Sequence, residues 1–197
     1  MDFRTINGPS SAIFREKMSK FLAFATPVTT VEEARAVIAR TANEYHDARH
    51  CCWAYMIGAD RKTFLSSDNG EPSGTAGKPI LGQINSFEVT DLIICVVRYF
   101  GGIKLGTSGL IAAYREAARL ALEEADIVVR SEMADATILF PYLAMNPVMK
   151  LLKATPDVKI TDQQFDNTCR LSFRAPKDTL ATLLPRLTAL DGVLPEE

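Results

Sequence analysis

Histidine is scarce in this 197-residue chain, and its cysteines make no metal-binding pattern. Only His46 and His50 are present, and Cys51, Cys52, Cys95 and Cys169 form no C-x-x-C pair. A closed zinc site is therefore not expected, nor is any other metal or cofactor. Cys51 and Cys52 are adjacent, a poor geometry for bridging each other. The cysteines read as reduced and buried, which points to the cytoplasm. Long apolar runs are also missing. Residues 92–97 are among the longest, far short of the roughly 20 residues that span a bilayer, and the N-terminal MDFRTINGPSS lacks the apolar core of a signal peptide. No membrane partner is expected. Net charge is small as well, −2 from 22 basic and 24 acidic residues. Residues 1–131 carry 15 of each sign. No global positive field holds nucleic acid, so any such contact needs a local patch. What is present is ordinary for a globular protein: 47% hydrophobic and 23% charged residues, enough for a real core.

Residues 20–28 alternate and hold aromatics, as a strand does. Thr30-Val-Glu-Glu33 fits a capping box. Val31, Ala34, Ile38 and Tyr45 continue it as a helix to about residue 45. Residues 51–57 and 91–100 are apolar on both faces, as strands buried on two sides are. Residues 63–67 form a short strand ended by the turn pair Asn69-Gly70. A helix is expected within residues 75–85. Leu110, Ala113, Tyr114, Ala117, Ala118, Ala121 and Leu122 mark a second amphipathic helix, to about Glu124.

A second unit starts near Val129. It reads as a strand at 134–142, then a helix opened by Asn146 as N-cap and Pro147 at N1. Strands at 158–165 and 169–175 follow, around Asp166-Asn167. Asp178 is expected to cap a last helix, with a kink at Pro185, before a short strand at 192–195. The fold is thus α+β, with domains at 1–131 and 132–197, the second a small ferredoxin-like βαββα unit.

The strongest local feature is a strand, a Gly-rich loop and a helix over residues 92–124. Amides at a helix N-terminus suit phosphate. Gly101 to Ser108 nearly spells a P-loop, but Thr107 stands where the lysine belongs, so a standard nucleoside triphosphatase is rejected. What remains is an anion site of Gly101, Gly102, Gly106, Thr107 and Ser108, with Arg98, Lys104, Arg115 and Arg119 as a local basic patch. The bland alternative is that the glycines serve a tight turn alone and the arginines are solvated. A second loop follows Asp68 and Glu71 and includes Gly74, Thr75, Gly77 and Lys78. Its two acids suit acid/base work, or turn chemistry only. His50 beside Cys51 and Cys52 invites a Cys–His reading, but neighbours on a strand face opposite ways. His50 is instead a candidate for binding, sharing a face with Cys52. Trp53, Tyr55, Tyr99 and Phe100 read as core rather than as base-stacking platforms, with Tyr99 and Phe100, at a strand end, the candidates for exposure.

Four segments occur in order: Asp47-Ala-Arg-His50, Trp53-Ala-Tyr55, Gly70-Glu-Pro-Ser-Gly-Thr-Ala-Gly-Lys-Pro79 and Val97-Arg-Tyr-Phe-Gly-Gly-Ile-Lys-Leu-Gly106. They closely resemble the IMPACT/YigZ family over residues 12–128. Residues 132–197 resemble the C-terminal domain of its bacterial YigZ-type members. The resemblance implies an N-terminal domain folded like the second domain of a small-subunit ribosomal protein. It implies a C-terminal domain similar to the last domain of elongation factor G. Eukaryotic IMPACT proteins regulate translation by binding the activator of a starvation-responsive initiation-factor kinase, through a further N-terminal domain that this sequence lacks. Against the family pattern, Asn69 replaces an acid, Cys51 a histidine and Ser108 a glycine, which weakens a paired-acid metal site and a two-histidine site. The expected function is non-enzymatic: binding RNA, the ribosome or a translation-factor partner and regulating translation. The alternative is an enzyme acting on a phosphate-containing or other anionic ligand at the two loops, with Glu71 and Asp68 as its chemistry. A third reading is a protein-interaction module that pairs strands through its C-terminal sheet.

Overall fold

Residues 2–196 are described by the computed structural model, which divides the chain into two units. One is Phe3–Arg130; the other runs from Ser131 onward and includes Asp2.

The larger unit opens with strand β1 (Asp2–Ile6), then β2 (Ser10–Glu16), β3 (Ser19–Pro27), helix α1 (Val31–Glu44), β4 (His50–Ile57) and β5 (Thr63–Ser67). It continues with α2 (Gly77–Ser86), β6 (Leu92–Tyr99), α3 (Gly106–Glu123) and β7 (Ile127–Ser131). Five strands form one antiparallel sheet in the order β2-β3-β6-β4-β5. β6 lies at the centre because its side chains are apolar on both faces. Ile94 and Val96 join a core with α2 and α3, while Ile93, Cys95 and Val97 join another with α1. Each fully buried Ile or Val there contributes roughly 1.5–3 kcal/mol relative to exposure. β1 and β7, whose first residues Asp2 and Ile127 are 125 positions apart, pair as a separate two-stranded sheet.

β1, β2 and β7 are not among the expected strands. β2 is the open edge of its sheet, so its pattern is only half-buried. The hairpin joining it to β3 turns on Lys17 and Met18, with φ of 43° and 64°. These are residues that give no turn signal in a sequence. The Thr30 cap is as expected on one side, since its hydroxyl accepts from Glu33 N at 3.1 Å. The return arm lands one residue early: Glu33 Oε2 accepts from Thr29 N at 2.6 Å.

The smaller unit holds β8 (Met133–Pro141), a 3-10 turn (Tyr142–Ala144), α4 (Met145–Ala154), β9 (Lys159–Gln164), β10 (Thr168–Pro176), α5 (Lys177–Thr188) and β11 (Leu194–Pro195). Its antiparallel sheet has the order β11-β8-β10-β9, the ferredoxin-like arrangement of a β-α-β-β-α-β chain. Two caps differ from expectation. The 3-10 turn leads straight into α4, so Asn146 and Pro147 lie inside its first turn and Ala144 is the cap. Pro176 is the cap of α5 and Asp178 lies in its first turn, where a carboxylate favours the helix dipole. Along the outer face, Arg170 pairs with Glu196 and Asp162, and Arg174 with Asp135.

No helix among the described residues is long and apolar enough to cross a membrane.

Candidate functional site

The strand register creates the site. β4 and β6 place His50 opposite Arg98, and β3 places Phe21 opposite Arg98 from the other side. These side chains share the face covered by α3, and Tyr114 of α3 meets Phe21 edge-on at 5.2 Å. Glu71 reaches into this group from the loop after β5. Its Oε1 accepts from Arg98 Nη1 at 2.7 Å and from Tyr114 Oη at 2.8 Å. The Glu71 and Arg98 side chains are only 4% and 7% exposed, so this is a buried ion pair. Oε2 lies 3.9 Å from His50 Nε2. His50 Nδ1 is 3.0 Å from the Asn69 carbonyl, which can only accept, so Nδ1 carries a hydrogen. Arg98 Nη2 reaches Ser19 Oγ at 3.4 Å, while its buried Nε has no partner among the described residues.

Above this floor lies a cavity of about 500 Å³. Arg49, His50, Lys104 and Phe100 form part of its wall, with Gly106 and Thr107 at the start of α3. Arg49 and Lys104 are exposed and form no ion pair among the described residues. The two Gly-rich loops thus meet at one place.

The remaining expected residues take different parts. Asp68 does not face the cavity as a free acid. Its Oδ2 accepts from Gly74 N at 2.7 Å, and its Oδ1 from Ala76 N and Gly77 N at 3.0 and 2.8 Å. It therefore caps the loop and the start of α2. Burial pushes its carboxyl up, but the three amides and Lys78 outweigh this and hold it below the ordinary aspartate range. Gly77 packs against the Ser67 backbone, which an added Cβ would meet at 2.8 Å. Thr75 is buried and donates to Pro72 O at 2.6 Å. Lys78 is exposed on α2. Gly101 packs against Met18, Gly102 turns the chain with φ of +90°, and Ser108 is exposed in the first turn of α3. Arg115 is exposed further along α3. Arg119 is occupied by Glu116 and Glu123, so it adds no free cation. At the cavity itself the exposed cations are Arg49 and Lys104. Arg49 is not among the expected site residues, although it lies in the Asp47-Ala-Arg-His50 segment, and the fold brings it to the cavity.

Cys52 shares the Arg98 face, as expected from its alternation with His50, but is fully buried and donates to Asp68 O at 2.9 Å. Burial, with Glu71 and Asp68 nearby, pushes its thiol up to about 12, too high for a thiolate nucleophile at neutral pH. No group of three or more His, Cys, Asp or Glu among the described residues is arranged to hold a metal ion.

Replacing Asp68 with Ala is expected to cost about 2–4 kcal/mol, because three amides lose a charged acceptor. Since the folded carboxyl titrates below the ordinary range, its contribution is present above about pH 4 and fades as pH falls through the lowered value. Urea unfolding at pH 7 and pH 3 checks this. The gap between the wild type and D68A should be wider at pH 7, and an equal gap refutes the charged cap.

The Impact N-terminal domain matches residues 17–122. Over 91% of the chain, and 88% of each relative, the sequence is 33% identical to an IMPACT family member of Haemophilus influenzae and to the IMPACT family member YigZ of Escherichia coli. A crystal structure described as that of a hypothetical protein covers all of this chain and 98% of its own, at 30% identity and a TM-score of 0.73. Matched through the domain that holds Glu71, Arg98 and Tyr114, and along nearly its whole length by bacterial relatives, the chain belongs to the IMPACT family.

Proposed function

We propose that this protein is a non-enzymatic binding protein of the cytoplasm that regulates translation by engaging a phosphate-bearing RNA partner, free or on the ribosome. The observation that carries this reading is the charge balance of the cavity. Its one acid, Glu71, is matched by Arg98, which leaves Arg49, Lys104 and the amide end of α3 as its net charge. Such a surface attracts phosphate on a chain with no overall positive field. Membership of the IMPACT family supports a place in translation.

The chemistry of the walls favours binding over turnover. Oε1 of Glu71 is engaged by two donors as part of the cavity floor, and the Cys52 thiol is too basic to attack.

The test is binding of single-stranded RNA and of purified ribosomes by the full chain across a salt series. Changing Arg49 and Lys104 together to Glu should lower affinity at least tenfold at low salt. It should also flatten the logarithmic salt dependence by about 1 to 2, close to one per lost phosphate contact. Binding that keeps its strength and its slope in R49E/K104E would refute this surface.

A further inference from the structure

The cavity has more than charge. Phe100 stands at its wall with 44% of its surface exposed, although it follows directly on a buried strand. One face of the ring rests on the Arg98 guanidinium, 5.6 Å from the ring centroid, and that guanidinium also lies 5.6 Å from the Phe21 centroid. The ring is thus seated by a 93% buried cation while its other surface is open. The same cavity is lined by Lys104 and by the start of the 18-residue helix α3, which begins at Gly106 with no side-chain cap. Glu71 also lines it: Oε1 accepts two hydrogen bonds, while Oε2 accepts none from the described residues and has only His50 Nε2 at 3.9 Å.

Each wall asks for a different group. An open ring asks for a flat ring to stack on it. An uncapped helix start with a lysine asks for a phosphate. A carboxylate oxygen with no hydrogen bond in a largely buried setting asks for an N–H donor. A simple phosphate meets one of these demands, and an aromatic phosphate without ring nitrogen meets two. A nucleotide meets all three, and a volume of about 500 Å³ is in the range of single small-ligand sites.

We propose that the cavity seats one nucleotide, with its base stacked on Phe100, an N–H of the base edge toward Glu71 and its phosphate at Lys104 and the start of α3. This rests on the phosphate-bearing partner proposed above and names the part of it that enters the protein. The same chemistry is offered by a free mononucleotide and by an unpaired nucleotide of an RNA strand.

The experiment is calorimetric titration of the full chain with AMP, GMP, CMP and UMP, with ribose 5-phosphate and adenosine as controls, and with a 5′-phosphorylated RNA hexamer. At least one mononucleotide should bind ten times or more tighter than ribose 5-phosphate and than adenosine. Phe100→Ala should weaken that nucleotide tenfold or more while leaving ribose 5-phosphate unchanged, and Phe100→Tyr should restore it. Circular dichroism of both variants separates lost stacking from lost folding. Equal affinity for nucleotide and ribose 5-phosphate, or a folded F100A that binds like the wild type, overturns the nucleotide site. If RNA still binds through Arg49 and Lys104 in that case, the proposed function stands without it. If mononucleotides bind as expected but neither RNA nor ribosomes do, the site is one for free nucleotides and the proposed function falls.

Discussion

Arg98→Met is expected to destabilise the Phe3–Arg130 unit by about 3–5 kcal/mol. The change leaves the Glu71 carboxylate, 4% exposed, without its counter-charge, and an uncompensated buried charge is among the most damaging single defects. The Tyr114 hydroxyl would remain as a neutral donor to Oε1, which is not enough to replace a guanidinium at 2.7 Å. Glu71→Gln alone should also destabilise, because Arg98 would then be the orphan. The double variant Glu71→Gln/Arg98→Met should recover much of the loss, since neither charge is left behind. Urea unfolding of the four proteins at neutral pH measures all of this. If R98M falls within 1 kcal/mol of the wild type, the pair does not anchor the loop. If the double variant is worse than the sum of the singles, the two residues are not acting on one another.

Gly101→Ala should be comparably severe, by about 3 kcal/mol or more, for a different reason. A Cβ at Gly101 would lie 2.1 Å from both C and O of Met18 and 2.5 Å from Ser19 N. These are backbone atoms of a two-residue hairpin and cannot swing aside as a side-chain tip can. Strain of this kind belongs to the short list of mechanisms behind large mutational effects. Gly102 is the internal control. Its φ is +90°, yet nothing lies within 4 Å of an added Cβ. Gly102→Ala should therefore cost only the conformational penalty, about 1–2 kcal/mol. Thermal unfolding of the two variants should rank G101A well below G102A. Equal midpoints would mean that the loop drifts freely from the hairpin.

Sequence periodicity makes much of this architecture readable. β6 and α3 announce themselves, one through an unbroken apolar run and the other through Leu110, Ala113, Tyr114, Ala117 and Ala121 at helical spacing, all buried in the structure. The two loops are conspicuous too, because glycines and prolines break pattern visibly. The way the loops meet is not readable. Glu71 bonds partners 27 and 43 residues away, and these distances in sequence become contacts only through the register of β6 and the seat of α3. Tyr114 illustrates the loss. By spacing it is one more apolar position on a helix, while its hydroxyl is the part that matters. Asp68 is misleading in the opposite way. An acid beside a Gly-rich loop looks like chemistry, yet here it holds amides. β1 and β7 are hidden for a simpler reason: each is short, and neither has a partner nearby in sequence.

That last pairing bears on how the protein is made. Asn7 N donates to Asp126 O, and β1 pairs with β7 in a two-stranded sheet. At roughly 5–20 residues per second, synthesis separates the two strands by about 6–25 s. Through that interval β1 has only the bridge from Arg4 to Val89 and the Thr90 N–H donating to Arg4 O, with no strand beside it. Closure of the Phe3–Arg130 unit is thus timed by the arrival of its final five-residue strand, and a chain that stalls before residue 127 is left holding an open edge.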